Sequence, residues 1–318
     1  MALALLFPGQ GSQAVGMGKE LMASSPAAKR VFQEADEALG EKLSTLILEG
    51  PADELKRTRN TQPAIVTTSI AALRALEEKG AFDKMKPVFA AGHSLGEYSA
   101  LVAAGSLGFA DAVRAVRARG TFMQEAVPEG QGAMAAVLGM DAATIKEIIA
   151  ATTTATAYVA CANFNGPEQT VIGGTVEGVA NATAALKAKG AKKVMPLPVS
   201  APFHCALMAP VRPLLDDVLG KLTFAPLTFP IVTNVDADAN DDAARVRGLL
   251  VEQVTSPVRF TEIAAFLIGK GVTTFVEVGP GKALVGMVKR APGLLEGSRL
   301  LNVEDDKSLA ATLAALAA

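Results

Sequence analysis

Net charge, cysteine and histidine are all scarce in this chain of 318 residues. The chain has 30 lysines and arginines and 32 aspartates and glutamates, so its formal net charge is −2. This charge argues against electrostatic binding of nucleic acid by the chain as a whole. Two cysteines exclude a disulfide scaffold and fit a reducing compartment. Because the only histidines are His93 and His204, we expect no histidine-rich metal site.

Apolar runs long enough to cross a membrane are also missing. The apolar start of the chain lacks basic residues and reaches Pro8 after too few residues for a signal peptide. The uncharged stretch 148–167 has the length of a membrane helix, but it is rich in threonine and contains Asn163 and Asn165. We therefore expect a soluble cytoplasmic protein that binds no membrane and no nucleic acid.

What the chain has in quantity is apolar sequence, since half of its residues are hydrophobic and 19% are charged. This composition predicts a globular protein with a large core, and the length predicts two domains at roughly 150 residues each. Alanine, leucine and valine are spread over many short segments, a distribution typical of an α/β protein with a buried parallel sheet.

The pattern of predicted strands and helices changes near residue 128, which indicates a second domain inside the first. Between 133 and 197 the pattern predicts strand, helix, strand, strand, helix and strand, which is the ferredoxin-like order. We therefore predict a small ferredoxin-like domain over 128–198, inserted into a larger domain formed by 1–127 and 199–318. In the larger domain we expect one helix over about 15–39 and another capped by Asp111.

The strongest chemical signal is the sequence Gly-His-Ser-Leu-Gly at 92–96, which has the form G-x-S-x-G. An apolar strand precedes it and an apolar helix follows, as in a nucleophile elbow. Glycines two residues before and after Ser94 let the backbone bend sharply there. The helix start also offers free amides to developing negative charge. We predict that Ser94 is a nucleophile rather than a capping serine in a glycine-rich turn.

A nucleophilic serine needs a base, and the chain offers two histidines. His93 adjoins Ser94, and neighbouring side chains on a tight elbow diverge, so His93 is poorly placed to take the proton. His204, in Pro-Phe-His-Cys at 202–205, is the base by elimination. No aspartate stands out as its orienting partner, and a backbone carbonyl could do the same work.

The loop Gly-Gln-Gly-Ser-Gln-Ala at 9–14 has two interpretations. It follows a strand and opens a helix, so it fits a variant of the dinucleotide-binding fingerprint. That fingerprint expects an acidic residue about 20 positions later, at the end of a second strand. Here Glu34, Asp36 and Glu37 fall in a helical pattern instead. The alternative is that the loop supplies a backbone amide to an oxyanion hole beside Ser94.

Several motifs, taken in order along the chain, resemble one enzyme family. The sequence has GQGSQ at 9–13, GHSLGE at 92–97 and PFH at 202–204. Further matching stretches are TQPA at 61–64, ANFN at 162–165, TNVD at 233–236 and EVGPG at 277–281. In this pattern the chain is similar, over essentially its whole length, to the malonyl-CoA:acyl carrier protein transacylases of type II fatty acid synthesis.

The resemblance implies an α/β-hydrolase-like body with a mostly parallel sheet, into which the ferredoxin-like domain is inserted. It also implies that Ser94 carries the malonyl group as an ester and that His204 is its base and acid. The main-chain carbonyl of Gln253 would orient the histidine, which explains the missing aspartate. The amides of Gln13 and Leu95 would form the oxyanion hole.

The resemblance further assigns a substrate pocket. Arg119 would hold the malonyl carboxylate, a task that suits a planar guanidinium because it can bind a carboxylate through two parallel hydrogen bonds. Gln62, Met123 and Asn163 would line the pocket. Many bacterial members have a small residue before the histidine, where this chain has Phe203. Related modular acyltransferases that accept malonyl units also have phenylalanine there, so malonyl is the expected acyl group.

The activity that the resemblance implies is a ping-pong transfer for fatty acid synthesis. A malonyl group moves from malonyl-CoA to the phosphopantetheine thiol of acyl carrier protein, and no metal or redox cofactor is needed. We expect a monomer whose partners are the CoA thioester and the carrier protein. Two alternatives stay open, namely a serine hydrolase or thioesterase that uses the same Ser94–His204 pair, and an acyltransferase of a polyketide pathway.

Acyl carrier proteins are acidic, so a nearly neutral enzyme needs a local basic patch to dock one. Four lysines cluster near the end of the predicted small domain, and these are Lys187, Lys189, Lys192 and Lys193. We predict that this lysine cluster helps to dock the carrier. The simpler interpretation is a solvated helix end.

Overall fold

Two β-sheets organise the chain in the computed structural model, which describes residues 2–199 and 201–317. The strands are β1 (Ala2–Phe7), β2 (Pro87–Gly92), β3 (Gly132–Leu138), β4 (Val159–Gly166), β5 (Gln169–Thr175), β6 (Lys193–Pro196), β7 (Ile231–Val232), β8 (Ala239–Asn240), β9 (Val272–Val278) and β10 (Arg299–Val303).

The helices cover the first sheet and flank the second. They are α1 (Lys19–Ser24), α2 (Pro26–Leu39), α3 (Leu43–Glu49), α4 (Ala52–Lys56), α5 (Thr58–Glu78), α6 (Gly96–Ala103), α7 (Phe109–Glu125), α8 (Ala142–Thr152), α9 (Val176–Ala188), α10 (Val211–Leu219), α11 (Ala243–Gln253), α12 (Phe260–Gly269), α13 (Ala283–Val288) and α14 (Asp306–Ala317). Among the described residues, no helix is long and apolar enough to span a bilayer.

The larger sheet has the strand order β10-β9-β1-β2-β7-β8, with every pair parallel except β7 and β8. Its central strand β1 is fully buried from residue 3 to residue 7. Leu3 and Leu5 enter the core on one face, while Ala4 and Leu6 enter the core on the other. Both faces are therefore covered, as a parallel sheet requires, and the predicted α/β fold is confirmed.

The smaller sheet has the strand order β4-β5-β3-β6, and all of its pairs are antiparallel. It has its own core, in which Val137 and Ile172 of the sheet pack with Ile145 of α8 and Leu186 of α9. This is the predicted ferredoxin-like order, with two helices between the strands. All four strands lie within the segment 128–198, while the exact domain limits stay a prediction.

Two local expectations for the larger domain are wrong. The helix expected over 15–39 is interrupted at Ser25, which is extended and whose hydroxyl accepts the amide of Ala28 to start α2. The break follows from Pro26, because proline disfavours helical backbone in the residue before it. Asp111 is not a cap, since α7 begins after Gly108 and the Asp111 carboxylate instead accepts a hydrogen bond from Arg114.

The carboxyl ends of the parallel strands meet at one edge of the larger sheet, where ligands bind in open α/β folds. The loop after β1 contains residues 9–13, the turn after β2 contains Ser94, and the segment after β7 contains Asn234. The amide of His93 donates to the carbonyl of Phe7, which ties the turn to the end of β1. Residues distant in sequence are thereby brought to one site.

Candidate active site

Ser94 lies on a sharp turn between β2 and α6. Its φ of 53° is in the left-handed region, which a residue with a side chain adopts only under constraint. The flanking glycines are required by close packing. A Cβ on Gly92 would lie 1.9 Å from the carbonyl carbon of Gly96, and one on Gly96 would lie 2.2 Å from the carbonyl oxygen of Phe7. The G-x-S-x-G pattern thus has a steric basis here.

Asn234 clamps this turn, a role that the sequence did not reveal. Its Oδ1 accepts the Ser94 amide at 2.7 Å, and its Nδ2 donates to the carbonyl of Gly92 at 2.6 Å. One buried side chain therefore holds the backbone on both sides of the turn. The available signal was the Thr-Asn-Val-Asp stretch at 233–236, which follows a buried strand, but nothing in the pattern named the turn as its partner.

His204 is placed to act on Ser94. Its Nε2 lies 2.7 Å from Ser94 Oγ, and its Nδ1 lies 3.0 Å from the carbonyl oxygen of Gln253 and 3.2 Å from that of Ser256. Two carbonyl acceptors at Nδ1 place the hydrogen there, which leaves Nε2 free to accept the serine proton. Gln253 is the last residue of α11, where main-chain carbonyls lack helical partners and favour a nearby positive charge.

Burial keeps this histidine neutral. Burial away from solvent lowers the pKa of His204 to about 3, and the positive charge of Arg119 is the second cause of this shift. The hydrogen bond to the Gln253 carbonyl acts in the opposite direction and raises the pKa. The imidazole is therefore an unprotonated base at neutral pH. His204 also has a positive φ of 58°, so both members of the pair are held in a strained conformation.

Arg119 reaches the same serine from α7 and is completely buried. It donates to Ser94 Oγ at 3.0 Å, to Gln62 Oε1 at 2.8 Å and to Gln253 Oε1 at 2.9 Å. Among the residues described, its Nε finds no acceptor and its three hydrogen-bond acceptors are all neutral. A buried guanidinium with neutral partners is suited to receive a carboxylate from a ligand.

These side chains surround a cavity of about 90 Å³, which has room for only a short acyl group. Seven of the lining residues are site residues predicted from the sequence, and these are Ser94, His204, Arg119, Gln62, Met123, Asn163 and Phe203. The sequence assigned no lining role to the other residues of the wall, which are Gln10, His93, Met134, Leu197 and Val199. The last three are apolar residues of or near the small sheet, and no sequence pattern indicated which of its faces adjoins the serine.

Comparison with known proteins identifies the family. The acyl transferase domain family matches residues 4–299. The malonyl CoA-acyl carrier protein transacylase of Bacillus subtilis (strain 168) is 54% identical over 288 residues, which are 91% of this chain and 90% of the relative. The chain belongs to the malonyl CoA-acyl carrier protein transacylase family.

Solved structures of family members have the same fold. The malonyl CoA-acyl carrier protein transacylase from Clostridium perfringens is 42% identical, with a TM-score of 0.93, and the match covers all of this chain and 98% of that one. A malonyl-transacylase in complex with its type II PKS acyl-carrier protein is 43% identical, with a TM-score of 0.94, over 99% of this chain and 100% of that one. The insertion of an antiparallel sheet in a parallel body is therefore a feature of the family fold.

The two amides that the family resemblance assigns to the oxyanion hole are both unused. Neither the Leu95 nor the Gln13 amide donates a hydrogen bond within 2–199 and 201–317. Leu95 directly follows Ser94, where the helix start favours negative charge. The Gln13 side chain accepts the amide of Gly11 at 2.7 Å and thereby shapes the loop, while Gln10 borders the cavity. The oxyanion role of these amides stays a prediction.

His93 borders the cavity but, among the described residues, forms no hydrogen bond with the Ser94 hydroxyl. Its Nε2 pairs with Asn165 Oδ1 at 2.9 Å, and burial lowers the pKa of its imidazole. The structure thus gives the two histidines of this family member different surroundings, one against the nucleophile and one against an amide. No group of three or more histidine, cysteine, aspartate or glutamate side chains that could hold a metal ion occurs in the described part of the chain.

The predicted lysine cluster lies outside the cavity. Its four members are exposed, at the end of α9 and the start of β6. Lys193 pairs in the sheet with Leu138, whereas the cavity residue Leu197 follows the opposite end of β6. Lys192 makes an exposed ion pair with Glu168 at 3.7 Å. The cluster is therefore not positioned to take part in chemistry at Ser94.

Proposed function

We propose that the protein transfers a malonyl group from malonyl-CoA to the phosphopantetheine thiol of acyl carrier protein, through an ester on Ser94, in fatty acid synthesis in the cytoplasm. The observation that carries this proposal is the convergence of three groups. Ser94 Oγ lies 2.7 Å from a neutral histidine nitrogen and 3.0 Å from a buried arginine nitrogen, in a cavity of about 90 Å³. A nucleophile, its base and a carboxylate receptor are thus one hydrogen bond apart.

The first half-reaction forms the ester. His204 Nε2 takes the Ser94 hydroxyl proton as Oγ attacks the thioester carbonyl carbon. The negative charge that develops on the carbonyl oxygen is accepted by the Leu95 and Gln13 amides, and one such donor is typically worth about 3 kcal/mol. The carbon–sulfur bond then breaks, the imidazolium returns its proton to the thiolate, and CoA leaves as a thiol.

The second half-reaction uses the same groups in the same order. The carrier thiol gives its proton to His204 and attacks the ester carbonyl carbon, and the carbon–oxygen bond to Ser94 breaks. The imidazolium then reprotonates Ser94 Oγ. All bonds and protons balance without a metal or redox cofactor, so we propose that the enzyme uses none.

Arg119 selects the acyl group and also affects the base. A malonyl carboxylate pairs with the buried guanidinium, whereas an acetyl group leaves it unpaired at a cost in transition-state stabilisation. The charge of Arg119 is one cause of the low pKa of His204. A bound carboxylate offsets that charge, so the correct substrate strengthens the base that takes the proton of the attacking serine.

Relatives support the choice of transfer over hydrolysis. The relatives of Bacillus subtilis and Escherichia coli are named malonyl CoA-acyl carrier protein transacylases, and a structural relative is seen with a type II PKS acyl-carrier protein. Acyl carrier protein is therefore the proposed partner. The pathway can be tested by comparing carriers of fatty acid and polyketide synthesis as acceptors.

The deciding experiment is intact mass measurement after incubation with malonyl-CoA. The parent should gain one malonyl group, and Ser94→Ala should gain none. Ser99→Ala is the matched control, because Ser99 is a buried serine of α6 outside the cavity, and it should be malonylated normally. Added holo-carrier should then remove the group and appear as malonyl-carrier. Rapid release of free malonate without transfer would instead indicate a hydrolase.

A further inference from the structure

Gln253 has a second connection to the site besides its main-chain carbonyl. Oε1 of its buried side-chain amide accepts a hydrogen bond from Arg119 at 2.9 Å, and Nε2 donates one to Glu97 Oε2 at 2.8 Å. The amide therefore lies between a guanidinium and a carboxyl group, and it links the carboxylate receptor to a residue that the reaction itself does not use.

The two flanking groups fix the orientation of this amide. Arginine can only donate, and the main-chain carbonyl of Ser94, which also accepts Gln253 Nε2 at 3.2 Å, can only accept. Burial raises the pKa of Glu97 to about 7, and above that pH its ionised carboxylate can likewise only accept. The Gln253 amide must therefore direct its oxygen to Arg119 and its nitrogen to Glu97, and a flipped amide would face a donor with a donor. In this orientation the amide dipole is aligned with both charges, which strengthens both hydrogen bonds in a dry interior.

Glu97 also supports the nucleophile turn. Its Oε2 accepts the main-chain amide of Asn234 at 2.9 Å, and Asn234 in turn holds the Ser94 amide. Glu97 is 1% exposed and lies in the first turn of α6, three residues after the nucleophile. Glu97, the final residue of the Gly-His-Ser-Leu-Gly-Glu motif at 92–97, therefore contacts both Asn234, which holds the turn, and Gln253, which binds Arg119.

We propose that Glu97 is a positioning residue for acyl selection, which holds Arg119 in its carboxylate-receiving position through the side chain of Gln253. The proposal rests on the function proposed above and adds a selectivity-determining residue that never touches the substrate. Because the hydrogen-bond partners of Arg119 among the described residues are all neutral, its position depends on how firmly those partners are held.

The test uses Glu97→Gln and compares kcat/KM for malonyl-CoA and acetyl-CoA. Burial raises the pKa of Glu97 to about 7, so the assay is run at pH 8, where the carboxylate is ionised. Glutamine at 97 is neutral and replaces the charge-assisted hydrogen bond from Gln253 Nε2 with a weaker one, so Gln253 holds Arg119 less firmly. We expect kcat/KM for malonyl-CoA to fall at least tenfold and that for acetyl-CoA to change less than threefold. General damage to the turn would lower both alike, and equal losses would overturn the proposal.

A second variant addresses the link directly and guards against misfolding of the first. Gln253→Leu keeps the main-chain carbonyl that faces His204 but removes the side-chain amide. It should lower the ratio of malonyl to acetyl kcat/KM by a similar factor. In an Arg119→Ala background, Glu97→Gln should leave that ratio unchanged within twofold, because the receptor is already gone. A further ratio change in that background would contradict the proposed route.

Glu277→Gln is the matched control. Glu277 is a completely buried glutamate of the same sheet body, but its contacts are the amides at the start of α13 and not the cavity. It should leave the malonyl to acetyl ratio unchanged. Malonylation of the parent at Ser94 tests the proposed function separately. If the ester forms while neither Glu97→Gln nor Gln253→Leu changes selectivity, the positioning role alone is refuted.

Discussion

The two sheets differ in what they bury. The parallel body encloses charged or titratable groups, and among these are Arg119, His204, Glu97 and Glu277. The smaller antiparallel unit, over its described residues, buries no charged side chain, and its interior is aliphatic. Burying ionisable groups is costly unless they are partnered. We therefore expect the body to supply the reactive groups and the smaller unit to shape the cavity.

The cavity reflects this division. Ser94, His204 and Arg119 come from outside the small sheet, whereas Met134 of β3 and Asn163 of β4 form part of the wall. If the division is correct, changes in the body should alter rate and charge selection, and changes in the smaller unit should alter tolerance of acyl size. Five predictions test this contrast, beginning with the largest effect.

Removal of the base should have the largest effect. His204→Ala leaves the Ser94 hydroxyl without a proton acceptor, and loss of one member of such a unit typically costs about 10⁴-fold or more in rate. Single-turnover malonylation of Ser94 measures this step. His93→Ala is the comparison, since that histidine pairs with Asn165 instead, and it should lose less than about tenfold. Equal losses in the two variants would contradict the assignment of the base.

Removal of the carboxylate receptor should change selection rather than abolish chemistry. In Arg119→Ala the ratio of kcat/KM for malonyl-CoA to that for acetyl-CoA should fall about 10³-fold, because the charged hydrogen bonds are lost only for malonyl. Arg117→Ala is the control, because it removes another arginine of α7 that pairs with Glu41 and Asn60 away from the cavity. That control should retain the parental ratio. A parental ratio in Arg119→Ala would place the receptor elsewhere.

The buried carboxyl groups of the body should make its stability depend on pH. Burial raises the pKa of Glu277 to about 7, from about 4.5 in an unfolded chain. The folded state therefore binds this proton more tightly, and stability is lost as pH rises through 7. Glu277→Gln should gain up to roughly 3 kcal/mol relative to the parent between pH 4.5 and pH 8.

Urea unfolding at several pH values measures this gain. A constant difference between Glu277→Gln and the parent across this range would mean that the carboxyl group is not protonated in the folded state.

A change in the wall should alter size tolerance. Met134→Ala shortens a buried side chain that lines the cavity, and one methyl group in an apolar pocket is typically worth about 10-fold or more in selectivity. The kcat/KM for methylmalonyl-CoA relative to malonyl-CoA should therefore rise about tenfold. Met140→Ala, a buried methionine of the same unit outside the cavity, should not change it. A lower rate for both substrates alike would assign Met134 to chemistry instead of shape.

The sequence predicted much of this arrangement where local pattern and local chemistry agree. The strand, glycine and serine pattern at 92–96 is sterically enforced, so it could be recognised without the fold. The order of strands and helices over 133–197 predicted the smaller sheet, because strand, helix, strand, strand, helix and strand is the ferredoxin-like pattern. The break at Ser25 was missed because the apolar spacing continues across Pro26.

The contacts that sequence reasoning missed are those between distant segments. Asn234 and Ser94 are 140 positions apart, and their hydrogen bond depends on the parallel pairing of β2 with β7, which spans two residues. The link from Glu97 to Gln253 crosses 156 positions. No periodicity encodes such pairs, because they follow from which strand ends meet at the sheet edge. The position of Leu197 against the serine is missed for the same reason.

The smallest expected effect concerns the lysine cluster, which lies on the smaller unit but away from the cavity. If it docks an acidic carrier, replacing Lys187, Lys189, Lys192 and Lys193 by glutamine should raise KM for the carrier about fivefold at low ionic strength. KM for malonyl-CoA should not change, because the cavity is untouched. Salt screens exposed charges, so the effect should shrink in about 0.5 M salt.

A charge-matched control separates docking from a general loss of positive charge. Lys29, Lys84, Lys86 and Lys221 are also exposed, and Lys221 pairs with Asp217 much as Lys192 pairs with Glu168. Replacing these four lysines by glutamine should leave KM for the carrier at its parental value. Equal increases in both quadruple variants would show that net charge alone attracts the carrier, and no increase in either would leave the cluster as a solvated helix end.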